Sequence, residues 1–135
     1  MAVIYIDSRE QTPIEFPGSI RMKLEVGDYT TPKHFNKLHL ERKSPGDLYG
    51  TILKGHVRFR KEIRRAAEGN IKLVMIIECT EKVFYSKRWP GGKYCKVSEV
   101  TLERIIKTLT IKYGLTFIWC EDRKVMKKII LNLLK

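Results

Sequence analysis

The chain has 135 residues, 43% of them hydrophobic, and its 27 Lys and Arg outnumber 15 Asp and Glu to leave a formal charge of +12. That length suits one domain burying about two-thirds of its unfolded surface, and the apolar content excludes a disordered tail. No apolar run nears the ~18 residues that cross a bilayer, and Cys79, Cys95 and Cys120, with no C-x-x-C pair, suit a reducing, intracellular location rather than secretion.

Val3-Ile4-Tyr5-Ile6, closed by Asp7-Ser8-Arg9-Glu10, has the pattern of a buried strand. Pro13, Pro17 and Gly18 make residues 11–19 a loop. Residues 21–26 alternate polar and apolar, as a half-buried strand does; Gly27-Asp28 follows as a turn, after which Tyr29 and Thr30 can resume the strand. Leu38 to Lys43 alternates again and stops at Ser44-Pro45. Ser44, Pro45 and Asp47 stand where an N-cap, a first-position proline and the acid of a capping box belong, which predicts a helix to about Lys54. A second helix is predicted over Val57–Glu68, with Phe59, Ile63, Ala66 and Ala67 on one face and Gly69 as its stop.

Lys72–Glu78 is a strongly apolar strand. Residues 97–113 put Leu102, Ile105, Ile106, Leu109 and Tyr113 on one helical face, ended by Gly114; a strand at Leu115–Trp119 and a helix at Glu121–Leu134 close the chain. Strands first, then helix and strand in alternation, predict an α/β fold with a mixed sheet. No repeat or linker divides it, so residues 1–135 read as a single domain.

A large positive excess points to a polyanionic partner, nucleic acid above all. Lys54, Arg58, Arg60, Lys61, Arg64 and Arg65 are six bases against the one acid Glu62 within twelve residues, a stretch suited to phosphate contact. Residues 85–96 mix Lys87, Arg88, Lys93 and Lys96 with Trp89, Tyr94 and two glycines: either a loop that stacks on an unpaired base or a merely mobile one. The last helix carries apolar residues over a wide arc, for a second subunit or for the sheet alone. His34, His39 and His56 lack ligand spacing, and His39 reads as a surface residue.

Strand geometry sends His39, Glu41 and Lys43 to one face and Leu38, Leu40 and Arg42 to the other. A carboxylate two residues from a lysine is the E-x-K pairing of metal-dependent phosphodiester hydrolysis: the acid offers hard oxygen to Mg²⁺, and the amine steadies charge or orients water. One carboxylate does not hold such an ion alone. Asp28 is the natural second if residues 21–26 pair as a hairpin with 38–43; Asp7 is another.

Gly27-Asp28 followed by Glu41-Arg42-Lys43 and, three residues on, Asp47 resembles the G-D…E-R-K-x-x-x-D motif of the XPF-type structure-specific endonucleases of the PD-(D/E)xK superfamily. Ile6-Asp7-Ser8-Arg9-Glu10 and Ile76-Ile77-Glu78 align in the same order, so the resemblance spans the chain; Arg9–Pro13 and Phe16–Gly18 are most similar to small stand-alone phage and viral members. The resemblance implies a restriction-endonuclease-like central mixed β-sheet flanked by helices, without the family's helix-hairpin-helix or helicase domains. It implies Mg²⁺ or Mn²⁺ held by Asp28, Glu41 and the Arg42 carbonyl, Lys43 as the catalytic lysine, and Asp7, Arg9 and Asp47 as further active-site positions. The implied substrates are branched DNA of repair and recombination, including flaps and Holliday junctions, cut to leave 5′-phosphate and 3′-hydroxyl ends. A homodimer through the C-terminal helices is implied too. The DNA-contacting residues expected on the basic segments are Arg58, Lys61, Arg64 and Arg65, with Lys87, Arg88, Trp89 and Lys93. The competing reading is a non-catalytic DNA-binding or dimer-partner module of the same fold. The Arg42 side chain is expected to make a structural ion pair, Asp47 to cap a helix as well as face the site, and Glu78 to support the site or bind metal.

Overall fold

The computed structural model describes residues 3–135. Leu73-Val74-Met75-Ile76-Ile77 is buried on both sides. A strand of that kind needs helices or loops over each face, as parallel strands generally do. It is β5 (Lys72–Ile77), flanked in parallel by β4 (Leu38–Lys43) and β6 (Thr116–Trp119). With β1 (Tyr5–Asp7), β2 (Ile20–Met22) and β3 (Tyr29–Thr30) they form one sheet in the order β2-β1-β3-β4-β5-β6. β3 is antiparallel to both β1 and β4, so the sheet is mixed as expected.

One face carries α1 (Pro45–Ile52), α2 (His56–Glu68), α3 (Glu81–Ser86) and α4 (Glu99–Tyr113), packed through Leu48, Phe59, Ile63, Phe84, Leu102 and Ile106. The other carries the loop with Ile14 and Phe16, and α5 (Arg123–Leu133), packed through Met126, Ile130 and Leu134. The sheet takes up that much of the last helix, while Val125 and Leu131 stay exposed. Helix boundaries follow local chemistry. Ser44, Thr80, Ser98 and Asp122 cap the N-termini of α1, α3, α4 and α5 with side-chain oxygens, and Gly114 ends α4 at φ +70°. The short helix α3 is not foreshadowed by hydrophobic period. Among the described residues no helix is long and apolar enough to cross a membrane.

The predicted strand over 21–26 is corrected. Only Ile20–Met22 is strand, and it pairs in parallel with β1 at the sheet edge rather than as a hairpin with β4. Beyond Met22 the backbone is satisfied by side chains instead of a ladder. Leu24 N–H donates to Asp7 Oδ1 (2.9 Å), and the Leu24 carbonyl accepts from the Arg9 guanidinium (2.6 Å). Leu24 and Val26 are nonetheless buried, which accounts for their alternation. β4 is met instead by Tyr29, opposite Leu40.

His39 is also corrected: it is fully buried, not a surface residue. Its Nε2 accepts from Asn36 N–H (2.9 Å), so the ring is the Nδ1–H tautomer, and Nδ1 donates to the Val26 carbonyl (2.7 Å). Burial lowers its pKa. His39 thereby ties the residue before the Gly27-Asp28 turn to β4.

Candidate active site

Gly27 bends the chain into this site. Its φ is +76°, and a Cβ there would stand 3.1 Å from His39 Cβ and 3.2 Å from the Leu40 carbonyl oxygen. Gly27→Ala is therefore expected to destabilise the fold by about 1–3 kcal/mol. Urea unfolding checks it, beside the wild type.

Asp28 is clamped to β4 at both ends of its residue. Its N–H donates to the Leu40 carbonyl (2.8 Å), and its Oδ2 accepts from Arg42 N–H (2.8 Å). Burial and the nearby Glu10 carboxylate push its pKa up to about 7, against the Arg42 amide and the charges of Lys43 and Arg42. Glu41 projects from β4 toward the α1–α2 face with 7% exposure, and among the described residues its Oε2 has no hydrogen-bond partner. Its pKa is held well above the carboxylate range by burial, then by the carboxylates of Glu62 and Asp28, with Lys43 opposing them. A buried, unpartnered carboxylate beside two others is costly until a cation arrives.

Glu41 opens into a groove of about 1050 Å³ whose walls include Arg9, Lys43, Asp47, Lys54, Arg58, Lys61, Glu62 and Arg65. Lys43, at the carboxyl end of β4, makes no ion pair among the described residues, so its ammonium is available to the groove. Asp28 is half-buried beside Glu41 and is not part of that wall.

The other expected residues divide. Asp7 is buried with both oxygens engaged, by Arg9 (3.0 and 3.3 Å) and Leu24 N–H, so its work is to hold Arg9 and the 23–27 segment. Arg9 remains largely exposed at the groove edge. The Arg42 side chain points away, as expected, to Glu10 (3.2 Å), Glu78 (3.7 Å) and the Thr12 hydroxyl (2.6 Å). Glu78 accordingly supports Arg42. Asp47 is exposed at the groove, its N–H capped by Ser44 Oγ (3.1 Å).

Of the basic residues, Arg58, Lys61 and Arg65 face the groove, whereas Arg64 lies on the opposite flank of α2. Two expectations for the 85–96 segment are corrected. Trp89 is 8% exposed, stacked on Phe84 at 6.4 Å with its Nε1–H given to the Phe84 carbonyl, so its ring is not free for a base. Lys87 donates to the carbonyls of Cys95 and Val97 (3.2 and 2.7 Å) and closes the loop on itself. Arg88 and Lys93 stay exposed. Glu62 was not anticipated at the site. The signal was there: a lone acid on a basic helix, four residues after Arg58 and three before Arg65, shares their stripe.

The donor set is all oxygen: the unpartnered Glu41 Oε2, the Asp28 oxygen not bonded to Arg42, and backbone. That suits a hard divalent cation, which commonly keeps waters in its shell. Among the described residues no three His, Cys, Asp or Glu side chains gather as a ready cage. Two carboxylates with carbonyl and solvent oxygens are what this site has to offer.

A profile of the ERCC4 domain matches residues 6–133. The chain belongs to the ERCC4 domain family, the XPF-type nucleases. XPF from Aeropyrum pernix shares the ERCC4 fold with a TM-score of 0.72 at 22% identity, over 97% of this chain and 64% of that one. XPF from Aeropyrum pernix in complex with DNA gives 0.70 at 22% identity, over 99% and 64%. The chain thus spans less than two thirds of those chains, and at that identity the likeness concerns the fold. The curated protein sequences give no match.

Proposed function

We propose that this ERCC4 domain is a divalent-metal-dependent DNA endonuclease acting at branched, flap or single-/double-strand junctions. The observation that carries the reading is Glu41: a buried carboxylate whose Oε2 has no hydrogen-bond partner among the described residues, one residue from a clamped Asp28–Arg42 contact and opening on a basic groove. A non-catalytic module would leave that carboxylate without purpose.

Asp28, Glu41 and the Arg42 carbonyl would hold Mg²⁺ or Mn²⁺, which when bound activates water and polarises the scissile phosphate. The Arg42 amide fixes the rotamer of Asp28. The Lys43 ammonium stands where it can steady charge developing on the phosphate or hold the water in line. Arg9, Arg58, Lys61 and Arg65 grip the backbone on either side. No side chain here serves as a covalent nucleophile. A homodimer through α5 belongs to the same reading, since Val125 and Leu131 remain uncovered.

The test uses labelled splayed-arm, flap, four-way and linear DNA with Mg²⁺ or EDTA. Cutting that needs the ion and favours branched forms is expected. Cutting in EDTA contradicts the metal mechanism, and tight binding without any cutting favours the non-catalytic module.

A further inference from the structure

α2 is a ridge with three flanks. Phe59, Ile63 and Ala66 face the core; Arg58, Glu62 and Arg65 wall the active-site groove; Arg60, Arg64 and Ala67 turn toward α4. Residues three or four apart share a flank of a helix, so this division follows from the sequence period. Val57 and Lys61 on the crest line both the groove and the hollow beyond it.

Beyond the crest, the seam between α2 and α4 holds two hollows of about 580 and 330 Å³, and a third of about 350 Å³ adjoins them on the flank of α4 alone. Their walls carry Arg60, Lys61 and Arg64 from α2, and Arg104, Lys107 and Lys112 from α4, with no Asp or Glu. Among the described residues none of these six cations enters an ion pair. The three from α4 are exposed.

An uncompensated row of this kind repels a second copy of itself, and it is too open for a small anion. Arg104 and Lys112 are eight residues apart, about 12 Å along the helix. At about 3.4 Å of helix axis per phosphate of one strand, a duplex lying along α4 presents three to four phosphates of that strand over this length.

We propose that the α2–α4 seam is a second nucleic-acid tract. It takes the backbone of one arm of a branched DNA whose other arm lies in the active-site groove, with the Val57–Lys61 crest at the branch. The inference rests on the nuclease reading and gives its substrate preference a location. The competing occupant of such a surface is an acidic protein segment.

The test compares Arg104→Glu/Lys112→Glu with the wild type and with Lys33→Glu/Lys37→Glu, an equal charge change on exposed positions of the loop before β4. Anisotropy titrations in EDTA use a splayed-arm DNA and a linear duplex of the same length. The seam variant is expected to bind the splayed arm about tenfold more weakly and the linear duplex less than about threefold, with a salt slope shallower by about 2 for the splayed arm. Equal losses on the two DNAs, or the same pattern from the Lys33/Lys37 pair, overturn the seam. So does unchanged binding, the result an acidic protein partner would give. Cutting in Mg²⁺ separates the two readings: a wild type that cuts nothing overturns the nuclease, whereas a wild type whose branch preference survives in the seam variant overturns only the seam.

Discussion

Glu41→Gln is expected to lose metal-dependent cutting and, in the absence of metal, to fold more stably than the wild type. The two effects have one cause. Glu41 is buried with an unpartnered oxygen and lies near the carboxylates of Glu62 and Asp28, so its charged form is disfavoured. Removing an unsatisfied buried charge relieves about 1–3 kcal/mol, and removing an ion's ligand costs cutting by about 10³-fold.

The pH dependence follows from the sign of the shifts. An acid whose folded pKa is raised binds more protons in the folded state, so its unfavourable contribution is absent below the unfolded value near 4. It grows as pH rises and is complete above the folded value, about 7 for Asp28. The advantage of Glu41→Gln in EDTA should therefore vanish in acid and grow as pH rises toward the raised folded value of Glu41. Thermal unfolding across that range checks it. A variant less stable than the wild type at pH 8 in EDTA would contradict this account of Glu41.

Arg42→Ala is expected to act on the fold rather than on the chemistry. The Arg42 side chain is 8% exposed and is held by Glu10, Glu78 and Thr12. Truncating it strands two carboxylates in a poorly solvated place, a change of about 3–5 kcal/mol. For a chain of this length the midpoint would fall by about 10–20 °C. The contact that fixes Asp28 comes from the Arg42 backbone N–H, which alanine keeps. Cutting per folded molecule should thus survive at low temperature, where a true loss of a catalytic group would not recover.

The core of this site is legible in the chain because a strand has a period of two. The alternation of Leu38–Lys43 put Glu41 and Lys43 on one face, and the register of β4 against β5, Glu41 beside Met75 and Lys43 beside Ile77, bears that out. The Ser44-Pro45 pair likewise marked the start of α1, which begins at Pro45 behind the Ser44 cap. What was not legible depends on contacts remote in sequence. The 23–27 segment looks like a strand, yet Asp7 and Arg9, seventeen and fifteen residues from Leu24, take its hydrogen bonds. Trp89 sits among Pro, Gly and Lys, the composition of an exposed loop, but Phe84 and Tyr49 provide an aromatic pocket that no local pattern announces. His39 follows the same rule through Val26, thirteen residues away, whose carbonyl meets it only once the turn has folded back. Only Glu62 could have been found earlier, from its stripe on α2.

The claim at the centre of this account is that Asp28 and Glu41 form one divalent-ion site. Calorimetric titration of the DNA-free protein with Mn²⁺ at pH 8, beside Asp28→Asn and Glu41→Gln, tests it most directly. The account predicts saturable binding by the wild type that either substitution removes or weakens at least about tenfold; undiminished Mn²⁺ binding by both variants would contradict it.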